Sequence, residues 1–187
     1  MYAEGENMKR LYLLRHGQTE FNVKKLVQGR CDSPLTDLGR KQAGMAAAWL
    51  KGHDVVPDKV VSSPLGRAMD TASLVATELL GPDAAVEPCE GIIERSYGTF
   101  EEGPHDALPT DVWDPGEDLV PFGGEGSKAL QERMVATLTN LISAEDIETL
   151  LAVSHGSASR QFIKAAAPEG FELPAKLPNC AIMIFDF

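Results

Sequence analysis

The chain has little cysteine, no long apolar run and a shortage of positive charge. Three cysteines, Cys31, Cys89 and Cys180, stand far apart in 187 residues, and no two form a CxxC pair. That spacing excludes a disulfide framework or a cysteine metal cluster and leaves free thiols as the expectation. No apolar stretch approaches the roughly 20 residues of a membrane-spanning helix. The first residues, Met1 to Asn7, are polar and acidic, without the basic start and apolar centre of a signal peptide. Residues 1–8 read as a flexible tail, and the expected location is cytoplasmic. Lys and Arg number 17 against 28 Asp and Glu, a net charge of −11. Nucleic acid and anionic membranes demand a basic surface, so neither is expected as a partner.

What is present is ordinary for a globular protein: 43% hydrophobic and 24% charged residues. The length suits a single domain spanning 1–187. The residues leave monomer and homodimer both open.

Short apolar runs alternate with helical patterns. Leu11 to Leu14, Lys59 to Ser62, Leu150 to Val153 and Ala181 to Phe185 read as strands, with a short edge strand at Ala85 to Glu87. Thr36 is a candidate N-cap for a helix to about Lys51, ended by Gly52. Further helices are expected over about 65–80, 127–143 and 157–167. The runs are continuous rather than alternating, as in parallel strands buried on both faces. The expected fold is α/β, with a mostly parallel central sheet between helical layers. Gln18 to Leu35 reads as a loop. Residues 101–126 hold four prolines and five glycines, are strongly acidic, and read as an irregular lid or rim.

Three strand ends carry anion-seeking groups. Leu11 to Leu14 is followed by Arg15-His16-Gly17, Leu150 to Val153 by Ser154-His155-Gly156, and Val60-Val61 by Ser62-Ser63-Pro64-Leu65-Gly66-Arg67. Ligands in open α/β sheets bind beyond the carboxyl ends of the strands. If these strands are parallel neighbours, Arg15, His16, Arg67 and His155 converge. An arginine forks two hydrogen bonds onto a phosphate, and an imidazole serves as nucleophile or acid/base near neutral pH. No metal-site motif and no P-loop is present.

The segment Leu13-Leu14-Arg15-His16-Gly17-Gln18-Thr19-Glu20-Phe21-Asn22 resembles the signature of the histidine phosphatase superfamily, whose founding members are the cofactor-dependent phosphoglycerate mutases. The resemblance continues in order through Gln28-Gly29, Asp32 to Thr36, Ser62 to Leu65 with Arg67-Ala68, Glu94 with Tyr97-Gly98, Gly123 to Glu125, and Ser154 to Gly156. It implies a phosphoglycerate mutase-like three-layer fold and a metal-independent phosphatase without a cofactor. It implies His16 as phosphoryl acceptor, and Arg15, Arg67 and His155 as phosphate ligands, joined by Asn22 and Gly156. It implies Glu94 as the general acid for the leaving oxygen. Asn22 also suits a turn or cap, and Glu90, Glu101 and Glu102 are neighbouring rivals of Glu94.

Gln28, Gly29 and Trp113 are expected at the substrate rim. Glu125 is expected as a cap for the following helix or a supporting group, and Trp49 as core. Residues 96–127 contain neither Lys nor Arg. A second anion on the substrate would find few partners there. The expected reaction is hydrolysis of a small phosphomonoester with a neutral, cationic or apolar leaving group. The alternatives are mutase-type transfer and a non-catalytic phosphate binder.

Overall fold

A computed structural model describes residues 8–187. The expected N-terminal tail therefore lies, apart from Met8, outside the described residues. Five strands form one sheet: β1 (Arg10–Arg15), β2 (Lys59–Ser62), β3 (Glu87–Pro88), β4 (Thr149–Ser154) and β5 (Ile182–Asp186). Their order is β3-β2-β4-β1-β5. The first four run parallel, and β5 lies antiparallel on β1. The three strands expected to deliver the site are thus adjacent and parallel.

The helices are α1 (Glu20–Lys24), α2 (Asp37–Gly52), α3 (Gly66–Leu80), α4 (Ser127–Ile142) and α5 (Gly156–Ala166). Alternate side chains of each strand go to opposite faces. Tyr12, Leu14, Val60, Leu151 and Val153 pack with Ala43, Ala47 and Leu50 of α2 and Ala68, Ala72 and Val75 of α3. Leu11, Leu13, Val61, Leu150 and Ala152 pack with Leu130, Met134, Leu138 and Ile142 of α4 and Phe162 of α5. Small alanines on α2 and α3 bring those helices close to the sheet. Leucines and a methionine fill the other layer.

Four sequence expectations change. The stretch read as a loop contains α1, because Thr19 and Asn22 form a capping box: Thr19 Oγ1 accepts from Asn22 N, and Asn22 Oδ1 accepts from Thr19 N. The edge strand sits at Glu87–Pro88 rather than Ala85–Glu87; a proline is tolerated there because an edge position needs no second ladder bond. Trp49 is not core. It is 41% exposed and stacks on His53 with ring centroids 3.9 Å apart. Helix α2 also runs through Gly52, with His53 as its C-cap.

Thr36 caps α2 by accepting from Gly39 N at 3.0 Å. The other long helices have no side-chain cap on the residue before them. Carboxylates from distant segments lie at their starts instead. Asp32 accepts from Arg67 N in α3, Glu117 from Lys128 N in α4, and Glu94 from Ser157 N and Ala158 N in α5. Each meets the unsatisfied N–H groups and the positive end of a helix.

The segment 101–126 folds as a cap. It contains two single helical turns, at His105–Ala107 and Val120–Phe122. Leu108 and Leu119 from it form a small apolar cluster with Val27 and Tyr97.

Candidate active site

Strand β1 ends at Arg15, and its parallel neighbour β4 ends at Ser154. His16 and His155 follow directly, with ring centroids 5.2 Å apart and planes tilted 60°. Arg67 lies in the first turn of α3, just past β2. A pocket is lined by Arg15, His16, Asn22, Gln28, Gly29, Arg67, Glu94, Trp113 and Gly156, together with Leu26, Val27, Tyr97, His105, Val112 and Ser157. Every residue expected at the site is among these except His155, which is wholly buried beside His16.

The bonds of His16 decide its tautomer. Nδ1 lies 2.7 Å from the Gly17 carbonyl. A carbonyl only accepts, so Nδ1 carries the proton and Nε2 keeps its lone pair. Burial, and then the nearby cations of Arg67 and Arg15, hold the imidazole well below its usual pKa. It is neutral at physiological pH. His155 is lowered likewise, first by burial, then by Arg67 and His16. Its Nε2 is 2.7 Å from Ser63 Oγ, which also accepts from Leu65 N. With the serine as donor to Nε2, Nδ1 carries the ring proton and has no partner.

Arg67 is clamped. Its Nη1 donates to the Cys31 carbonyl at 2.8 Å and to Asp32 Oδ1 at 2.9 Å, and its Nη2 to the Gly29 carbonyl at 2.7 Å. Gly29 has φ +54°, a conformation that favours glycine, and a Cβ there would strike the Glu101 carboxylate. Arg15 donates through Nη1 to the Leu177 carbonyl, and its Cζ lies 5.0 Å from the Trp113 ring centroid. Burial outweighs the pull of Glu94 and lowers the Arg15 guanidinium to about 10, still protonated at neutral pH. Trp113 also covers Gly156, where a Cβ would come within 2.6 Å of the indole. Glycine at 156 is what lets the indole lie over the start of α5.

Three buried donors in this cluster have no partner: Arg15 Nε, Arg67 Nε and His155 Nδ1. Buried polar groups are nearly always paired. Three orphans around one imidazole mark a place for an anion.

Glu94 is the only carboxylate among the described residues that line the pocket. Its Oε1 accepts from Arg95 N at 2.8 Å and Ala158 N at 2.9 Å, and its Oε2 from Ser157 N at 3.2 Å. Of its rivals, Glu101 is occupied by the backbone N–H groups of Arg30, Cys31 and Tyr97, and Glu90 and Glu102 are exposed. Asn22 completes the α1 cap and also lines the pocket.

Several supporting residues carry no sequence signal. Arg95 is fully buried and donates to Ser157 Oγ, Ser127 Oγ and the carbonyls of Gly116 and Glu125. Arg133 grips Glu125 and the carbonyls of Gly91 and Glu94. Glu125 is thus a support for the Glu94 segment rather than a helix cap. Asn179 donates to the His16 carbonyl and to Asn22 Oδ1. His105 lines the pocket as well.

The family model described as histidine phosphatase superfamily (branch 1) matches residues 11–187. A Proteus mirabilis protein named "Probable phosphoglycerate mutase GpmB" is 32% identical over 189 residues, covering 96% of this chain and 86% of its own length. The broad-specificity phosphatase YOR283W of Saccharomyces cerevisiae is 31% identical over 164 residues, covering 86% of this chain and 71% of its own. A phosphoserine phosphatase mutant from Entamoeba histolytica, solved with phosphoserine, superposes with a TM-score of 0.76 at 30% identity, covering 95% of this chain and 90% of its own. The chain belongs to the histidine phosphatase superfamily and is a phosphatase of that family.

Proposed function

We propose that this enzyme hydrolyses phosphomonoesters through a phosphohistidine on Nε2 of His16. The observation that carries the reading is the set of three unpartnered donors, Arg15 Nε, Arg67 Nε and His155 Nδ1, around an imidazole whose Nε2 lone pair is free. The lone pair attacks phosphorus, and the bond to the ester oxygen breaks. Glu94, in its protonated form, gives its proton to that oxygen. Water then attacks phosphorus, Glu94 takes up a proton, and the P–N electron pair returns to Nε2. Arg15, Arg67, His155 and the Asn22 amide hold the phosphoryl oxygens throughout. Such catalysis is mostly positioning and charge stabilisation.

Hydrolysis is favoured over mutase transfer by the cap. Residues 96–127 offer no Lys or Arg to hold a second anionic group while the phosphoryl group is returned to it. A pure phosphate binder is disfavoured because a binder needs neither a depressed imidazole nor a carboxyl group in the pocket. The remaining parts of the reading are one catalytic unit over 1–187, a small-molecule substrate, no resident metal or cofactor, and a cytoplasmic location consistent with three free cysteines.

The test is rapid quenching with a phosphorus-labelled phosphomonoester. An acid-labile, base-stable phosphoprotein is expected in the native enzyme and absent in His16→Ala. Turnover in the variant falls by about a thousandfold or more, as for loss of a covalent nucleophile. Absence of label from the native enzyme would reject the mechanism. Interconversion of phosphoglycerates outpacing phosphate release would make it a mutase.

A further inference from the structure

The pocket has two chemically distinct halves. One set of lining residues is Arg15, Arg67, His16 and Glu94. The rest of the lining carries no charged side chain: Leu26 and Val27 come from the loop after α1, Tyr97 follows the Glu94 segment, and Val112 and Trp113 come from the cap. Val27 and Tyr97 are backed by the apolar cluster that includes Leu108, Leu119 and Val112.

This apolar half is held in place. Tyr97 Oη donates to the Val112 carbonyl at 2.6 Å, and Trp113 N donates to Asp111 Oδ1 at 3.0 Å. Asp114, the next residue, accepts from Gln161 Nε2 at 3.0 Å and pairs with Lys164, tying the Trp113 segment to α5. Stacking on Arg15 and contact with Gly156 fix the indole itself. His105 completes the lining. Burial, with Lys176 and Lys25 nearby, lowers its pKa, so it presents a neutral ring. The two lysines are exposed and lie outside the lining.

The geometry points to Trp113 and Val112, with Leu26 and Val27, as the specificity wall of the enzyme: a slot for an aromatic or apolar leaving group, built against one with a second negative charge. The inference rests on the phosphatase reading of the same pocket. Removing a phenyl group from water against such a wall is favourable in proportion to the area covered. A carboxylate in the same place loses hydration and finds no charged side chain among Leu26, Val27, Tyr97, Val112 and Trp113 to replace it.

The experiment compares three phosphomonoesters of alkyl alcohols, so that leaving-group acidity does not dominate: ethyl phosphate, 2-phenylethyl phosphate and 3-phosphopropionate. In the native enzyme kcat/KM is expected about tenfold or more higher for 2-phenylethyl than for ethyl phosphate, mainly through KM, and lowest for 3-phosphopropionate. Trp113→Ala should bring the phenylethyl-to-ethyl ratio to near one, and Trp113→Phe should keep most of it. Because Trp113→Ala also loosens Arg15, a general loss on all three esters is expected, and only the ratio reads the wall. Val112→Asn, which leaves Arg15 untouched, should lower the ratio by itself. Equal kcat/KM for ethyl and 2-phenylethyl phosphate, or a preference for 3-phosphopropionate, overturns the inference. So does a ratio unchanged in both Trp113→Ala and Val112→Asn. Labelling of His16 by ethyl phosphate separates the two levels. A label with no phenyl preference leaves the phosphatase reading standing and removes the wall; no label from any ester removes both.

Discussion

Glu94 Oε1 accepts a hydrogen bond from the backbone N–H of Ala158 at 2.9 Å, across 64 positions of sequence. One carboxyl group therefore caps α5 and faces the candidate nucleophile's pocket. The strand–helix junction that presents His155 and Gly156 is locked to the group proposed to move the proton.

That double duty separates two effects of Glu94→Gln. The amide keeps one oxygen to accept from Ala158 N, so the fold should survive with a loss of about 1 kcal/mol for the bond to Ser157 N. The proton donor is lost. Turnover of alkyl phosphates should fall by about 10²- to 10³-fold, and that of p-nitrophenyl phosphate much less, because nitrophenolate leaves without a proton. Equal losses on both substrates would remove Glu94 from the acid role.

The depressed imidazoles of His16 and His155 set a pH dependence. Both bind a proton in the unfolded chain near pH 6.5 but remain neutral in the folded one at that pH. Below pH 6.5 the unfolded state holds more protons, so stability falls as pH drops towards the folded pKa values. The slope is at most about 1.4 kcal/mol per pH unit for each imidazole. The lowered carboxyls of Asp114 and Glu125 act in the same direction at lower pH: their stabilisation is present above the ordinary carboxylate pKa and lost as pH falls through the folded one. Urea midpoints at pH 5.5 and 7.5 measure the imidazole part. Turnover should be lost along the same acid limb, since a protonated Nε2 has no lone pair to attack with.

Arg95→Met should destabilise the protein by about 3 kcal/mol, because it strands four acceptors that the guanidinium now satisfies. Thermal unfolding of the variant measures this. Its KM for ethyl phosphate should rise, since Arg95 joins the cap residues Gly116 and Glu125 to Ser157 in α5. A variant as stable as the native protein would show that the cap is held by other contacts.

Activity should survive chelation. Arg15, Arg67 and His155 supply the charge and donors that a metal supplies elsewhere. Assaying after prolonged EDTA dialysis, with and without added Mg²⁺ or Zn²⁺, checks this; complete loss restored by one metal would contradict the proposed site.

Much of this was legible in the chain. Leu11 to Leu14 and Leu150 to Val153 read as buried strands because both faces of the sheet are covered, and each run ends where a polar cluster begins. The candidate anion-binding groups were picked out by residue type at those ends, and they line one pocket or lie beside it. The short helix α1 was not legible as an element, although its capping box lies within the family-like segment that contains Asn22. Trp49 was misread because a large aromatic on an amphipathic helix suits the core by type alone. The hydrophobic face of α2 is set by Ala43, Ala47 and Leu50, and Trp49 falls outside it.

The sequence by itself determined the chemistry: a histidine and arginines placed after apolar strands, in an order shared with one family, and a cap stretch without Lys or Arg. These are local properties, carried by side-chain type and by spacing within a strand or a turn. Only the tertiary structure decided which imidazole nitrogen is free, which glutamate faces the pocket, and where the cap lays Trp113. The first rests on the backbone path that turns the Gly17 carbonyl onto Nδ1, and the others on partners far along the chain: Glu94 on α5, Arg95 between the cap and the helix, Asp114 on Lys164. Packing and buried hydrogen bonds select such pairs only once the layers have closed.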